Sequence, residues 1–324
     1  MSIGRIAVLA LFGSAAAAQP LTTKLEPVSG VPPMDQTTQR QDVRFKTDID
    51  DRMTVPVTLS GSGPYRFLVD TGADRTAISR ELARQLGLET GDEASLHSVS
   101  GVSTVATATV PDLQLTRKAV KIVDAPLLES ANIGADGILG VDSLRSQRVV
   151  FDFEDKTMSI VPSATPDFHD EPGTIVIRGS RRNGRLVLTD AKANGHSLTV
   201  VIDTGSEVTI GNRELREELL GRGLVNAAQK VQIQSVTGAM ISGDYMFVRE
   251  LDIGGVILKN LAIVFADAHT FKQLKLDNKP ALLLGMNAIR AFKKVSIDFA
   301  NRKFRVVLPE ESSLSFEIAE ARLR

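Results

Sequence analysis

A chain of 324 residues, 43% hydrophobic and 24% charged, has the material for one large or two medium cores, so size does not limit its stability. Its 38 Lys and Arg oppose 39 Asp and Glu, which excludes a global field drawing it to nucleic acid or an anionic surface. With 5% aromatics, no Trp and no Cys, single-strand stacking platforms, disulfides, thiolate metal sites and Cys lipidation are excluded as well.

The first residues carry Arg5, an apolar run from Ile6 to Phe12, and small residues through Ala16, Ala17 and Ala18 before Gln19. This is the pattern of a secretory signal peptide over residues 1–18, cleaved after Ala18. The run is far shorter than the ~20 apolar residues of a spanning helix, so no stable membrane insertion is expected after cleavage. An exported chain without cysteine suits a bacterial periplasm. Residues 19–42 are polar and interrupted by Pro20, Pro27, Pro32 and Pro33, as in a flexible arm.

Residues 43–163 read as a first lobe, with strand patterns at Val55–Leu59, Phe67–Val69, Val105–Val110 and Val149–Phe153. Helical spacing follows Ser79, and a short turn of helix follows Gly140. A break through Pro162, Pro166 and Pro172 to Gly173, with His169, Asp170 and Glu171 among them, marks an interlobe linker over residues 164–173. A second lobe, 174–310, has strand patterns at Arg185–Leu188, Leu198–Ile202, Val231–Ile233 and Phe304–Leu308, and helical spacing after Asn212 and Gly285. In the tail, 311–324, the alternation of Leu314, Phe316 and Ile318 is that of an edge strand.

The two lobes are copies. Phe67-Leu68-Val69-Asp70-Thr71-Gly72-Ala73 recurs as Val200-Val201-Ile202-Asp203-Thr204-Gly205-Ser206, an offset of 133 from Asp70 to Asp203. The same offset joins Thr76 to Thr209 and Arg80-Glu81-Leu82 to Arg213-Glu214-Leu215. Ser98-Val99-Ser100-Gly101 then meets Ser235-Val236-Thr237-Gly238 at 137, and Ile138-Leu139-Gly140 meets Leu283-Leu284-Gly285 at 145. Val150-Phe151-Asp152-Phe153 closes the series against Ser296-Ile297-Asp298-Phe299 at 146. Such long copies indicate a duplicated lobe rather than a solenoid.

One Asp-Thr-Gly is an ordinary turn at a strand end. Two, each after an apolar triplet and at equivalent places in a repeat, carry chemistry. The triplet is a buried strand, the Gly permits a tight turn, and the Asp is held partly desolvated beside backbone amides. If a pseudo-twofold axis relates the lobes, the carboxylates meet, and like charges so close cannot both ionise comfortably.

These residues resemble the pepsin and retropepsin superfamily of aspartic proteases, itself the type case of such a coupled dyad, in a bacterial retropepsin-like form with two fused lobes. The likeness runs from Arg44 to Leu308. Asp70-Thr71-Gly72-Ala73-Asp74 is similar to the retroviral form and Asp203-Thr204-Gly205-Ser206 to the pepsin form. The resemblance implies a mainly β, bilobal pepsin-like acid protease fold of two β-barrel lobes with short helices. It implies that Asp70 and Asp203 activate a water to hydrolyse an extended polypeptide, without metal or other cofactor. Thr71 and Thr204 would brace the two loops, Gly72 and Gly205 would offer backbone groups to substrate, and flap hairpins around Gly101 and Gly238 would close over it. One chain completes the dyad, so a monomer suffices.

Three departures stand out. The Arg that follows the apolar-Gly element in retroviral proteases, and pairs with the Asp of Gly-Ala-Asp, is replaced by Val141 and Met286, so Asp74 needs another partner. The segment from His97 to Val110 lacks the flap Tyr of pepsins, and Tyr245 lies well beyond Gly238. Ser206 and Ala73 make the two loops unlike, since only Ser206 has a hydroxyl able to donate toward its carboxylate.

His97, His169, His196 and His269 show no ligand spacing and read as surface or loop residues. Asp152 and Asp298 recur but sit between apolar residues, as structural groups would. Gly134 and Gly137 lack the Gly-Lys-Ser/Thr of a phosphate loop and read as loop glycines. The rival readings are a catalytically silent peptide-binding module of the same fold and a purely structural duplicated β-protein.

Overall fold

The structure, a computed structural model, describes residues 41–44, 53–115, 119–166, 171–221, 229–309 and 318–319. The expected signal peptide, most of the arm, residues 167–170 of the linker and most of the tail, with Leu314 and Phe316, lie outside the described residues.

In the first half, strands β1 (Gln41–Arg44), β2 (Thr54–Leu59), β3 (Ser62–Val69) and β4 (Ala77–Ser79) precede helix α1 (Arg80–Gln85). There follow β5 (Thr90–Ser98), β6 (Gly101–Gln114), β7 (Ala119–Leu128), α2 (Ser130–Ile133), β8 (Gly137–Leu139), α3 (Val141–Leu144), β9 (Gln147–Asp152) and β10 (Thr157–Pro162). The second half opens with β11 (Thr174–Arg178), β12 (Ser180–Arg182), β13 (Arg185–Ala193), β14 (His196–Ile202), β15 (Thr209–Gly211) and α4 (Arg213–Leu220). It continues through β16 (Gln229–Gln234), β17 (Met240–Ile253), β18 (Val256–Phe265), α5 (His269–Gln273), β19 (Ala281–Leu284), α6 (Met286–Ile289), β20 (Lys294–Asp298), β21 (Lys303–Val307) and β22 (Ile318–Ala319). From β2 to β10 and from β13 to β21 the order of elements is the same.

Each half folds one sheet back on itself. The first runs β2-β3-β8-β4-β7-β6-β5 and closes where β2 also pairs β6; the second runs β12-β13-β14-β19-β15-β18-β17-β16 and closes where β13 pairs β17. The fold is mainly β, two ring-closed sheets with a few short helices. Alternation builds each interior: Val55, Val57 and Leu59 of β2 turn inward and are buried, while Pro56 and Thr58 between them are half-buried. Burying each such side chain contributes about 1.5–3 kcal/mol.

A third sheet joins the halves in the order β1-β10-β9-β20-β21-β11, with β9 and β20 antiparallel at its centre. Sequence patterning placed Val149–Phe153 and Phe304–Leu308 within their own lobes; Val149–Asp152 and Phe304–Val307 instead enter this shared sheet, and Pro162, read as the start of the interlobe break, is the last residue of β10. Val149, Phe151, Val295, Ile297, Phe304 and Val306 face one way and are fully buried, in a core cluster that runs on into both lobes. The alternation of Leu314, Phe316 and Ile318 is met at its last member, since Ile318 and Ala319 pair with Leu258 and Ile257 at the edge of β18. Asp152 and Asp298 cap the turns after β9 and β20 by accepting from the backbone N–H of Asp155 and Asn301, the structural use expected of them. Among the described residues, no helix is long and apolar enough to cross a membrane.

Candidate active site

Asp70 stands at the end of β3. Phe67, Leu68 and Val69 are buried, and β3 runs parallel to β8 with Leu68 opposite Ile138 and Val69 opposite Leu139. The Asp70 N–H donates to the Leu139 carbonyl at 3.0 Å, which ends the strand in a fixed place. Asp203 is held identically by Leu284 at 3.1 Å, at the end of β14 beside β19. Each carboxylate then accepts the N–H two residues on: Gly72 to Asp70 Oδ1 at 2.8 Å, and Gly205 to Asp203 Oδ1 at 3.1 Å.

Four reciprocal hydrogen bonds lock the two loops together. The Thr71 N–H donates to Thr204 Oγ1 and the Thr204 N–H to Thr71 Oγ1, both at 3.1 Å. Thr71 Oγ1 donates to the Ile202 carbonyl at 2.9 Å, and Thr204 Oγ1 to the Val69 carbonyl at 2.7 Å. All are buried, so each lost partner would strand a polar group at a cost of about 1–3 kcal/mol. The lock brings the lobes so close that a methyl on Gly72 would collide with the Asp203 carboxylate, and one on Gly205 with that of Asp70. Only Gly fits there.

The two aspartates are not equivalent. Asp203 is 8% exposed, whereas Asp70 is half-buried. Burial, then the charge of Asp70, pushes the Asp203 carboxyl up to about 7, against the opposing pull of Arg185 and of the Gly205 and Ser206 amides.

Around the dyad lies a cleft of about 410 Å³. Two hairpins from opposite lobes line it. In the first, β5–β6, Ser98 pairs Gly101, whose φ of 135° is one that L side chains rarely adopt. The second, β16–β17, turns through Gly238 at φ 84°, whose N–H donates to the Ser235 carbonyl. The tips touch, Ser100 Oγ donating to Ser235 Oγ at 2.9 Å. Apolar patches flank the dyad: Ala73, Leu96 and Val236 pack with the Ile138 cluster, and Val99 and Val208 with the Ile210 cluster. Tyr245 packs beside Phe247 on β17 and does not line this cleft.

Asp74 finds its partner in the other lobe. Arg185, at the start of β13 and 4% exposed, places Nε 3.1 Å from Asp74 Oδ1, and Gln273 of α5 donates to Oδ2 at 3.3 Å. Burial still pushes the Asp74 carboxyl above its ordinary value, against the lowering charges of Arg185 and His97. Sequence reasoning missed Arg185, yet the signal exists: Arg52 precedes Asp70 at the same 133-residue offset, although it lies outside the described residues.

Gly137, read as a loop glycine, instead opens β8 and is buried, packed so closely against the Phe67 ring that a side chain would collide. The Ser206 hydroxyl is used within its own turn, Oγ donating to the Val208 carbonyl at 2.7 Å. His97 is exposed and His269 half-buried, as surface residues would be, and the two meet. They stack across the lobes with ring centroids 5.1 Å apart, and His97 Nδ1 lies 2.8 Å from His269 Nε2. Among the described residues, no three His, Asp or Glu are grouped to hold a metal ion.

Comparison with known proteins adds two matches. Residues 55–146 match the gag-polyprotein aspartyl protease family, and residues 189–288 match the aspartyl protease family, one match in each lobe. No curated protein matches the chain. A repeat seen first as two Asp-Thr-Gly turns, then as two ring-closed sheets locked at those turns, is thus two retropepsin-like aspartyl protease domains carried on one chain.

Proposed function

We propose that this chain is an aspartic endopeptidase in which Asp70 and Asp203 together activate one water against a peptide bond. The observation that carries the reading is the reciprocal Thr71–Thr204 lock, which sets each Asp-Thr-Gly loop against the other's carboxylate. Lying deeper, Asp203 keeps the shared proton and Asp70 is the ionised member. Asp70 takes a proton from the water as its oxygen bonds to the scissile carbonyl carbon, and Asp203 gives its proton to the carbonyl oxygen. In the resulting gem-diol the C–N bond breaks; the leaving nitrogen takes the proton from Asp70, and one diol hydroxyl returns a proton to Asp203.

The substrate lies extended between the dyad and the hairpins at Gly101 and Gly238, its backbone bonded as an added strand. Gly72 and Gly205 offer it backbone groups, and the apolar patches take side chains beside the scissile bond. A single chain supplies both aspartates. We also read the protein as exported, on the pattern from Arg5 to Ala18.

The test is cleavage of an unbiased peptide mixture from acid to neutral pH by the wild-type chain and by Asp70→Asn. Cleavage present in the first and lost in the second supports the reading. Since Asp203 must be protonated to act, activity is expected to decline as pH rises through about 7. A folded chain that binds peptides and cleaves none at any pH would instead be a binding module.

A further inference from the structure

The two hairpins over the cleft are tied down by different chemistry. The tip of the second, from the C-terminal lobe, reaches α2 of the first, where Gln234 Nε2 donates to Asn132 Oδ1 at 3.3 Å. The tip of the first reaches α5 of the C-terminal lobe. There the His269 N–H donates to the Val99 carbonyl at 2.9 Å, and the His97 and His269 rings share a hydrogen bond. The amide pair does not titrate between pH 5 and 8, whereas an imidazole pair does.

The His97–His269 bond needs one ring nitrogen to donate and the other to accept. A neutral pair supplies this, and so does a pair holding one extra proton. When both rings are charged, two N–H groups face each other 2.8 Å apart and the rings repel. We propose that His97 and His269 form a proton-operated latch on the first hairpin, shut while the pair holds at most one extra proton and released when both rings are charged. The latch rests on reading the cleft as the peptide site, and it makes entry at one of two otherwise equivalent hairpins depend on pH.

The surroundings set the window. His97 faces Asp74, behind which lies Arg185 of β13. His269 has Lys272 and Asp267 beside it on and next to α5. Farther along the hairpin, β5 carries Asp92 and Glu93, and the acid of β6, Asp112, is near its distant end. Burial, then the charges of His97 and Lys272, hold the His269 ring below the ordinary His range, against a smaller pull from Asp267. A depressed pKa in the shut state means closure is favoured above the ordinary value of ~6.5 and weakens as pH falls below it, by at most about tenfold in the shut-to-open ratio per pH unit.

The chain has no cysteine, so introduced ones alone take a label. With Val102→Cys on the first hairpin and Lys279→Cys on the opposite lobe, both exposed positions, spin-label distances are read from about pH 8 to about pH 4.5. The wild-type background is expected to lengthen below the ordinary His range. The background carrying both His97→Gln and His269→Asn, which copies the amide tie of the other hairpin, is expected to stay short throughout. A flat wild-type distance, or equal lengthening in both backgrounds, overturns the latch. The readout needs no cleavage: a chain that hydrolyses nothing but opens with pH keeps the latch and loses the protease reading, and a protease with a flat distance does the reverse.

Discussion

The acid that follows each Asp-Thr-Gly separates the two lobes most clearly. In the C-terminal lobe, Glu207 lies at the place of Asp74 and pairs with Arg290 of its own lobe at 2.8 Å, the Glu side chain being 7% exposed. In the N-terminal lobe, Asp74 is 31% exposed at its side chain and borrows Arg185 from across the junction. The supporting hydroxyl is treated alike in both: Thr76 bonds Asp142, and Thr209 bonds Asn287, each Oγ1 at 2.7 Å from its acceptor. Duplication has therefore kept the frame that aims the aspartates, while charge compensation has drifted. One lobe compensates its own acid; the other depends on its neighbour.

The sharpest break of the comparison is at the dyad. Asp70→Asn and Asp203→Asn should each lower kcat by about 10²–10⁴-fold in peptide cleavage, and a variant that keeps its activity would show that the lobes divide the chemistry unequally. The stability effect should differ in sign. The Asp203 carboxyl is raised, so the stability of its neutral form is present below the ordinary value of 3.8 and is lost as pH rises through about 7. An amide stays neutral, and Asp203→Asn should melt roughly 2–6 °C above wild type at about pH 8.

Next come the braces. Thr71→Val and Thr204→Val each strand one buried N–H and one carbonyl, for a loss of about 2–4 kcal/mol in urea unfolding. Because the bonds are reciprocal the two losses should agree; a twofold difference would break the pseudo-symmetry. The ion pairs sharpen the contrast further. Arg290→Met abandons the buried Glu207 and should cost about 3 kcal/mol, whereas Arg185→Met leaves a partly solvated Asp74 and should cost about 1 kcal/mol. Without Arg185 the Asp74 carboxyl rises further, so that loss should be full at neutral pH and fade in acid as Asp74 takes up its proton.

The helix caps give the smallest effects. Ser79 accepts only the Leu82 N–H at the start of α1. Asn212 accepts from both Leu215 and Ala281 and donates to the Leu276 and Lys279 carbonyls, tying α4 to the approach to β19. Ala at Ser79 should cost about 1 kcal/mol and Ala at Asn212 about 2 kcal/mol, measured by thermal unfolding.

What the sequence made legible was whatever repeats locally. Asp70 and Asp203 stand out because apolar triplet, turn and Gly recur in one register, and α1 and α4 because their caps and first turns recur with them. The strand at Val55–Leu59 shows through alternation, and that at Leu198–Ile202 through the apolar run Val200-Val201-Ile202. β5 did not, because Thr90–Ser98 is mostly polar, with only Ala94 and Leu96 apolar, and gains its shape from pairing with β6. Nor did the shared sheet, since Val149–Phe153 carries the same alternation whichever strand lies beside it. The partner of Arg185, the role of Gln273 and the His97–His269 contact were hidden for the same reason: each acts on the opposite lobe, and no window of sequence shows both partners.

The shared sheet also bears on how the halves are kept together. The linker leaves from β10 and arrives at β11, which lie on opposite sides of the sheet's centre, while β9 and β20 meet directly in the middle. Alignment of the halves thus comes from backbone pairing at the sheet's midline and from the Thr71–Thr204 lock, not from the covalent thread around them. In engineering terms the molecule is a split protein still joined at its seam. A cut within residues 164–173 would leave two fragments with matching edges, and either could serve as bait for the other.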